Sequence, residues 1–291
     1  MKTQPDTFLA RIATAARPSR PWLRIEASNW WTRVLVAGGA QYRPWTQLDL
    51  SGVNLSGARL VHVNLREGRL RNANLARATL TFADLRNADL VRAELTEADL
   101  SGADLSGARL TEATMRDADL RNTELSKADL SGADLSGARL TEATMRDADL
   151  RRVKLVYANL SDANMSRTKL TFADLRNAKL LRADLTNADL SQAALTLAKL
   201  VGTKLANAKL MGADLTGVDL TAANLMGTDL TYATLTDANL VNVVWSDQTL
   251  WPSEYEAQMR SRSESVGGGQ YQVQGSGGSG ADLSAPLVPR S

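Results

Sequence analysis

The hydrophobic pattern of this chain has a period of five. From residue 50 to residue 240 there are 39 positions spaced by five, and leucine fills 36 of them and methionine three. Alanine lies two residues before the leucine or methionine in 29 of the 39 units. The residue directly before the leucine or methionine is often aspartate or asparagine. The two residues that follow are mostly polar or glycine. The repeating unit is A(D/N)LXX.

No straight element keeps residues with this period on one face. On an α-helix the leucines would advance by about 140° per unit and spread around every side. On a straight strand, successive leucines would point to opposite faces. If the chain instead makes a quarter turn in each unit, all leucines point to one axis and four units close one coil. Coils stacked about 4.8 Å apart pair like neighbouring strands, and the length predicts about ten of them.

Proline and glycine positions agree with a continuously hydrogen-bonded coil. None of the seven prolines lies in the repeat, as expected where backbone N–H groups are needed for pairing. Ser-Gly pairs such as Ser51-Gly52 and Ser101-Gly102 directly follow the leucines and predict tight turns there. The Asp and Asn side chains are expected to form ladders between successive coils.

A run of this length resembles the pentapeptide-repeat family, and the resemblance covers about 195 of the 291 residues. It implies an all-β fold, a right-handed quadrilateral β-helix. It also implies a precedent for function, since several members protect DNA gyrase and topoisomerase IV from fluoroquinolones by mimicking duplex DNA. The DNA-mimic class is therefore one expectation for this chain.

The composition divides the chain into four segments. Residues 1–45 are basic and Trp-rich and are predicted to form an irregular N-terminal cap, and residues 46–250 are the β-helix. Residues 251–264 are predicted as a C-terminal capping helix begun by Pro252 and Ser253. Residues 265–291 are interpreted as a flexible linker and an expression-related tail. Four tryptophans are expected at the ends as cap or dimer contacts: Trp30, Trp31, Trp245 and Trp251.

The residue inventory argues against an enzyme. The absence of cysteine excludes disulfides, thiolate metal sites and cysteine nucleophiles, and a single histidine, His62, excludes His-rich metal sites. Carboxylate pairs such as Asp117 and Asp119 are expected on a convex, solvated surface without a pocket. We therefore expect no catalysis, metal or cofactor. No segment reaches the roughly 18 apolar residues of a membrane span, and the lack of cysteine favours a cytoplasmic location.

The charge balance decides between two kinds of rod. Residues 46–250 carry 26 acidic and 24 basic residues, and no side of the predicted coil is strongly acidic. A DNA mimic requires a strongly negative surface. The charge therefore favours a non-catalytic protein-binding scaffold, with DNA mimicry as the alternative, and the mixed signs disfavour direct binding of nucleic acid.

Outward-facing apolar residues are the candidate partner site. Leu181 and Val201 are predicted on one face, and Phe172, Met211 and Tyr232 on another. The expected partner is another protein, and a homodimer through a capped end is a further expectation. An identical stretch occurs at residues 101–121 and 131–151. Its offset of 30 residues is one and a half predicted coils, so the copying preserved the core but not a surface.

Overall fold

The computed structural model describes residues 49–275, so the predicted N-terminal cap with Trp30 and Trp31 lies outside the described residues. From residue 49 onward the chain forms a β-helix. Each outward residue pairs in parallel with the residue 20 positions later, as Asp49 does with Arg69, and such pairs recur every five residues. Each coil therefore has 20 residues and four sides, as the period of five predicts.

The chain changes direction directly after each leucine. In the first described unit, the Val53 N–H donates to the Leu50 carbonyl at 3.1 Å, and Gly52 between them has a φ of +67°. The equivalent residue has a positive φ in every unit from residue 52 to residue 242. These tight turns lie where the Ser-Gly pairs predicted them. The corners hold glycine in only ten units, so most corners place a side chain in the left-handed region that L-residues disfavour.

Backbone hydrogen bonds between coils use three of the five N–H groups in a unit. The Leu50 N–H donates to the Arg69 carbonyl at 2.7 Å, and the Gly52 N–H donates to the Arg71 carbonyl at 2.8 Å. A third N–H, from the outward residue, donates to the preceding coil, and a fourth closes the turn. The fifth N–H belongs to the first residue after the leucine.

The Asp or Asn before each leucine accepts that fifth N–H. The Ser51 N–H donates to Asp49 Oδ1 at 3.0 Å, and equivalent bonds recur along the rod. The expected ladders of Asp and Asn between coils are therefore not the main role of these residues. A cross-coil contact of that type does occur, from Asn239 Nδ2 to Asp219 Oδ1 at 3.3 Å. The turn takes precedence because its N–H would otherwise have no acceptor within the rod.

The core is a continuous stack of leucine and alanine along the axis, with the three methionines in leucine positions. Threonine replaces alanine at four buried sites, Thr123, Thr168, Thr203 and Thr228. Each hydroxyl donates to a backbone carbonyl, as Thr203 does to Leu180 at 2.9 Å. The buried hydroxyls are therefore satisfied and do not interrupt the core.

The period ends at a small C-terminal unit. It contains β1 (Val244–Ser246), α1 (Glu256–Ser261), β2 (Ser263–Gly267) and β3 (Gln270–Val273). The strands form an antiparallel sheet in the order β1-β3-β2. The last coil carries one extra residue, since Asp229 pairs with a residue 21 positions later, Leu250.

Two predictions about this end were wrong in detail. The bounds 251–264 were too wide for the helix, because residues 252–255 first form a turn closed by the Tyr255 N–H and the Pro252 carbonyl at 2.9 Å. The sequence predicted a flexible linker from residue 265 onward. In the structure, strands β2 and β3 occupy this segment up to residue 273. The glycines at 267–269 all have positive φ and close a hairpin, and β3 then pairs with β1, which would otherwise present an open edge.

Within residues 49–275, no helix is both long enough and apolar enough to cross a bilayer.

Candidate protein-interaction face

One side of the β-helix gathers the exposed apolar side chains of residues 149–248. This side carries Lys154, Asp174, Ala194, Asp214 and Thr234 in successive coils, and a corner borders it on each edge. We call this side and its two corners, over residues 149–248, the apolar face. Its corners hold large apolar side chains that are between 42% and 84% exposed: Tyr157, Phe172, Leu197, Met211 and Tyr232. Throughout residues 149–248, every exposed large apolar side chain lies on these two corners.

The structure brings together only part of the predicted interaction surface. Phe172, Met211 and Tyr232 share one corner of the apolar face, whereas Leu181 and Val201 lie half-buried on a different corner. Sequence reasoning missed Tyr157 and Leu197, which occupy the opposite corner of the same side. The 20-residue register was the signal that could have found them, because residues 157, 177 and 197 form one column.

Four of the five apolar residues have a backbone conformation that favours glycine or asparagine. Tyr157, Phe172, Leu197 and Tyr232 have φ values between 58° and 60°. Bulky side chains there cost free energy, so their presence is not explained by the stability of the coil. Leu197 also needs room on the next coil, since a Cβ on Gly217 would lie 2.8 Å from its Cδ2. Every corner from residue 52 to residue 242 has the same left-handed φ, so size and exposure, and not the backbone, distinguish these four residues from most other corners.

The charged groups on the side between these corners already have partners. The Arg176 guanidinium lies 2.6 Å from an Asp174 carboxylate oxygen, and its hydrogen bonds lower the pKa of Asp174. Hydrogen bonds from Thr216, and further from Thr196, lower the pKa of Asp214. Both carboxylates are therefore ionised at neutral pH and paired within the rod. The five apolar side chains stand on the corners, where Arg152 and Asp237 also lie.

The C-terminal tryptophans lie inside the terminal unit. Trp245 is buried, stacks on Tyr271 at 4.6 Å between ring centroids, and meets the edge of Trp251 at 5.8 Å. The Trp245 Nε1 donates to the Ser263 hydroxyl at 2.9 Å, and the Arg260 guanidinium lies 5.5 Å from the Trp245 ring. Both tryptophans thus pack over the last coil of the core.

The residues considered for catalysis are not assembled into a site. The His62 ring stacks on Phe82 at 5.2 Å. Asp119 pairs with Arg121 at 2.7 Å, and this hydrogen bond lowers the pKa of the carboxyl rather than raising it as a general acid would need. In the part of the chain that the structure describes, no group of three or more His, Asp or Glu could hold a metal ion.

The repeat of this chain matches the model of a known protein family. The family model for pentapeptide repeats matches the chain in 8 copies, which together cover residues 45–141 and 143–244. No curated protein matches the chain.

Solved structures resemble parts of the chain. HetL from Nostoc sp. PCC 7120, a pentapeptide-repeat protein involved in regulating heterocyst differentiation, is 30% identical over 74% of this chain and 95% of its own, with a TM-score of 0.39. Rfr23 from Cyanothece 51142 is 35% identical over 32% of this chain and 63% of its own, with a TM-score of 0.32. QnrB1, a plasmid-mediated fluoroquinolone resistance protein, is 19% identical over 74% of this chain and 95% of its own, with a TM-score of 0.34. All three TM-scores are below 0.5, so the superpositions support no statement about function.

Proposed function

Since this chain belongs to the pentapeptide-repeat family, we propose that it is a non-catalytic rod that binds another protein through the apolar face. We take the rod to be right-handed and about ten coils long. The observation that carries the proposal is the concentration of five exposed apolar side chains on the two corners of one side. Aromatic residues and methionine are enriched in protein interfaces, and charged residues are depleted at interface centres.

The dimensions of the apolar face also suit a protein partner. Five coils stacked about 4.8 Å apart give a surface about 24 Å long. The backbone beneath it is held by hydrogen bonds in every unit, so little order has to be gained on binding. A rigid surface of this kind presents its side chains at fixed spacing.

DNA mimicry is the second candidate, and one stretch of the rod favours it. Residues 84–149 carry 15 acidic and 8 basic residues, which makes this part of the rod net negative. The stretch spans little more than three coils, about 16 Å, and residues 150–188, which follow it, are net basic. A protein channel built for duplex DNA would meet both signs of charge along this rod, which weakens the electrostatic argument.

A capture experiment with one matched pair of variants tests the first candidate. The full chain would be compared with a triple variant, Phe172→Asn, Leu197→Asn and Tyr232→Asn, and with Phe82→Asn on another corner. Asparagine tolerates the left-handed backbone of the corners and already has it at Asn177 and Asn207. Both variants should therefore keep the circular dichroism spectrum of the unmodified chain. We expect the triple variant alone to lose the captured proteins. Equal capture by all three proteins would overturn the assignment of the face.

The same three proteins separate the two candidates in a gyrase supercoiling assay with ciprofloxacin. Protection of supercoiling by all three, at low micromolar protein, would establish DNA mimicry. Absence of protection by any of them would remove this candidate and leave the protein-binding rod.

A further inference from the structure

We propose that the apolar face binds a second copy of this chain, and that the two rods pack side by side and antiparallel. This inference rests on the proposed function, because it uses the same face. It is distinct from dimerisation through a capped end, which would leave the side of the rod free.

The charge along the axis is the first observation. Residues 149–188, two coils, carry 8 basic and 4 acidic residues and so have a net charge of +4. Residues 209–248, also two coils, carry 1 basic and 5 acidic residues and have a net charge of −4. The coil between them, residues 189–208, is nearly neutral with Asp189, Lys199 and Lys204. These counts include all four sides, and the apolar face itself follows the same reversal. Its residues 151–157 and 171–177 carry Arg151, Arg152, Lys154, Asp174 and Arg176, whereas its residues 211–217 and 231–237 carry only Asp214 and Asp237.

A two-fold axis converts this reversal into complementarity. When two rods meet face to face about an axis perpendicular to both, each corner meets the same corner of the other copy with the coil order reversed. If the axis passes through the coil of residues 189–208, the basic coils 149–188 face the acidic coils 209–248 of the second copy. The same match occurs twice by symmetry.

The apolar side chains match in this register as well. Phe172 and Met211 share a corner and lie one coil to either side of the central coil, so Phe172 of each copy faces Met211 of the other. Leu197 lies in the central coil on the opposite corner, next to the axis, and meets its own copy. These contacts cover the exposed side chains of Phe172, Leu197 and Met211.

The outermost apolar residues meet polar partners that suit them. Tyr232 lies on the corner opposite Arg152 of the second copy, where the guanidinium can stack on the ring. Tyr157 lies opposite Asp237 of the second copy, which offers an acceptor for the phenol hydroxyl. The apolar contacts therefore lie within one coil of the axis, next to Gln192, which meets its own copy in the central coil. The charged contacts lie at the two ends, as in the polar rim of protein interfaces.

A parallel pair lacks these matches. A two-fold axis along the rods would place coils at equal height opposite each other, so the coils 149–188 with charge +4 would face their own copy. Like charges at close range oppose association. The antiparallel arrangement alone pairs both charge and apolar surface. A contact about 24 Å long belongs to the smaller specific interfaces, so we expect a dissociation constant in the micromolar range.

Cysteine cross-linking tests the register, since the chain contains no cysteine of its own. Leu197→Cys in the full chain should form a disulfide-linked dimer under mild oxidation, because residue 197 meets its own copy. Asn207→Cys has the same left-handed backbone on a corner away from the apolar face and serves as the matched control. We expect at least a tenfold higher initial rate of dimer formation for Leu197→Cys than for Asn207→Cys. Equal rates would overturn the proposal.

A mixing experiment tests the antiparallel order itself. Phe172→Cys and Met211→Cys should each cross-link poorly alone, whereas an equimolar mixture should yield the heterodimer. Cross-linking of each variant alone but not in the mixture would contradict the proposed register.

Sedimentation velocity of the unmodified chain from about 1 to 200 μM separates this inference from the proposed function. We expect a monomer–dimer equilibrium that the triple variant of Phe172, Leu197 and Tyr232 abolishes and that high salt weakens. A chain that stays monomeric, while the triple variant still loses a captured protein, overturns the dimer and leaves the protein-binding face intact. A monomer with unchanged capture by the triple variant overturns both.

Discussion

The two halves of the rod have the same interior but different corners on the same side. In residues 49–148 the corners that continue the apolar face carry ion pairs along the axis, from Arg77 to Glu97 at 2.9 Å and from Arg92 to Glu112 at 2.6 Å. In residues 149–248 the same two corners carry Tyr157, Phe172, Leu197, Met211 and Tyr232. The leucine core and the hydrogen bonds between coils are the same in both halves.

The difference shows that corner residues interact along the rod rather than across it. A corner side chain leans over the residue 20 positions later, as Phe82 does over Gly102 and Leu197 over Gly217. In the first half the neighbours of Arg77 and Arg92 complete ion pairs, so these charges are satisfied along the corner. In the second half the neighbours leave apolar surface uncovered, and the side becomes available to a partner.

The largest effect should come from removing a core leucine in either half. Leu135→Ala and Leu195→Ala each leave a cavity in a fully buried stack and should lower the free energy of unfolding by about 2–5 kcal/mol. Denaturant unfolding followed by circular dichroism measures both. Because the interiors are alike, the two losses should agree within about 1 kcal/mol. A much smaller loss of unfolding free energy for Leu195→Ala than for Leu135→Ala would contradict the statement that the two halves have the same interior.

Acid should destabilise both halves through the carboxylates at the turns. Side-chain hydrogen bonds from Arg86, Arg121 and Arg176 lower the pKa of Asp84, Asp119 and Asp174, respectively. The unfolded chain then binds protons at higher pH than the folded chain. The stabilisation is therefore complete above about pH 4 and is lost as the pH falls through the lower folded-state values.

Thermal unfolding at pH 7, 5 and 3 measures this effect. We expect a similar melting temperature at about pH 7 and pH 5 and a clear fall by about pH 3. A melting temperature that stays constant down to this pH would show that the carboxylates at the turns do not stabilise the coil.

A smaller loss is expected when a single turn loses its side-chain acceptor. Asp134 accepts the Ser136 N–H at 3.1 Å and its hydroxyl at 2.6 Å. Asp134→Ala should therefore cost about 1 kcal/mol, well below the loss at Leu135. Asp134→Asn replaces the accepting carboxylate oxygen with an amide oxygen at the same place and should cost less than Asp134→Ala. Equal losses for the alanine and asparagine variants, in the same denaturant experiment, would contradict the role assigned to this side chain.

The smallest effect should be a gain at a strained corner. Ala222 has a φ of 57° whereas its neighbour Ala223 is buried with an ordinary backbone, so the two form a matched pair. Ala222→Gly should stabilise the protein by up to about 1 kcal/mol by relieving the left-handed strain. Ala223→Gly should destabilise it by about 0.5–1 kcal/mol or more, because it loses a buried methyl group and gains chain entropy in the unfolded state. Differential scanning calorimetry should therefore show melting temperatures shifted in opposite directions.

Much of the fold could be predicted from the unit itself. Leucine every fifth residue required a turn in every unit, and the absence of proline agreed with the hydrogen bonds that the structure shows. The role of the Asp and Asn side chains was predicted less well. Four of the five backbone N–H groups in each unit donate to backbone carbonyls, and only this assignment shows that the fifth needs a side-chain acceptor. The hairpin after residue 265 was missed because its glycine run has the composition of a linker, and pairing with β1 makes it ordered.

The sequence by itself determined which residues lie inside and where the chain turns, because both depend on a local period of five. Only the tertiary structure decided which outward residues share a side. That grouping depends on the 20-residue register between coils, which places Tyr157 and Leu197 on one corner and Phe172 and Tyr232 on the other, although 40 and 60 residues separate the members of each pair. Leu181 and Val201 have the same hydrophobicity but turn onto another corner, since position within the coil, and not residue type, sets the direction of a side chain.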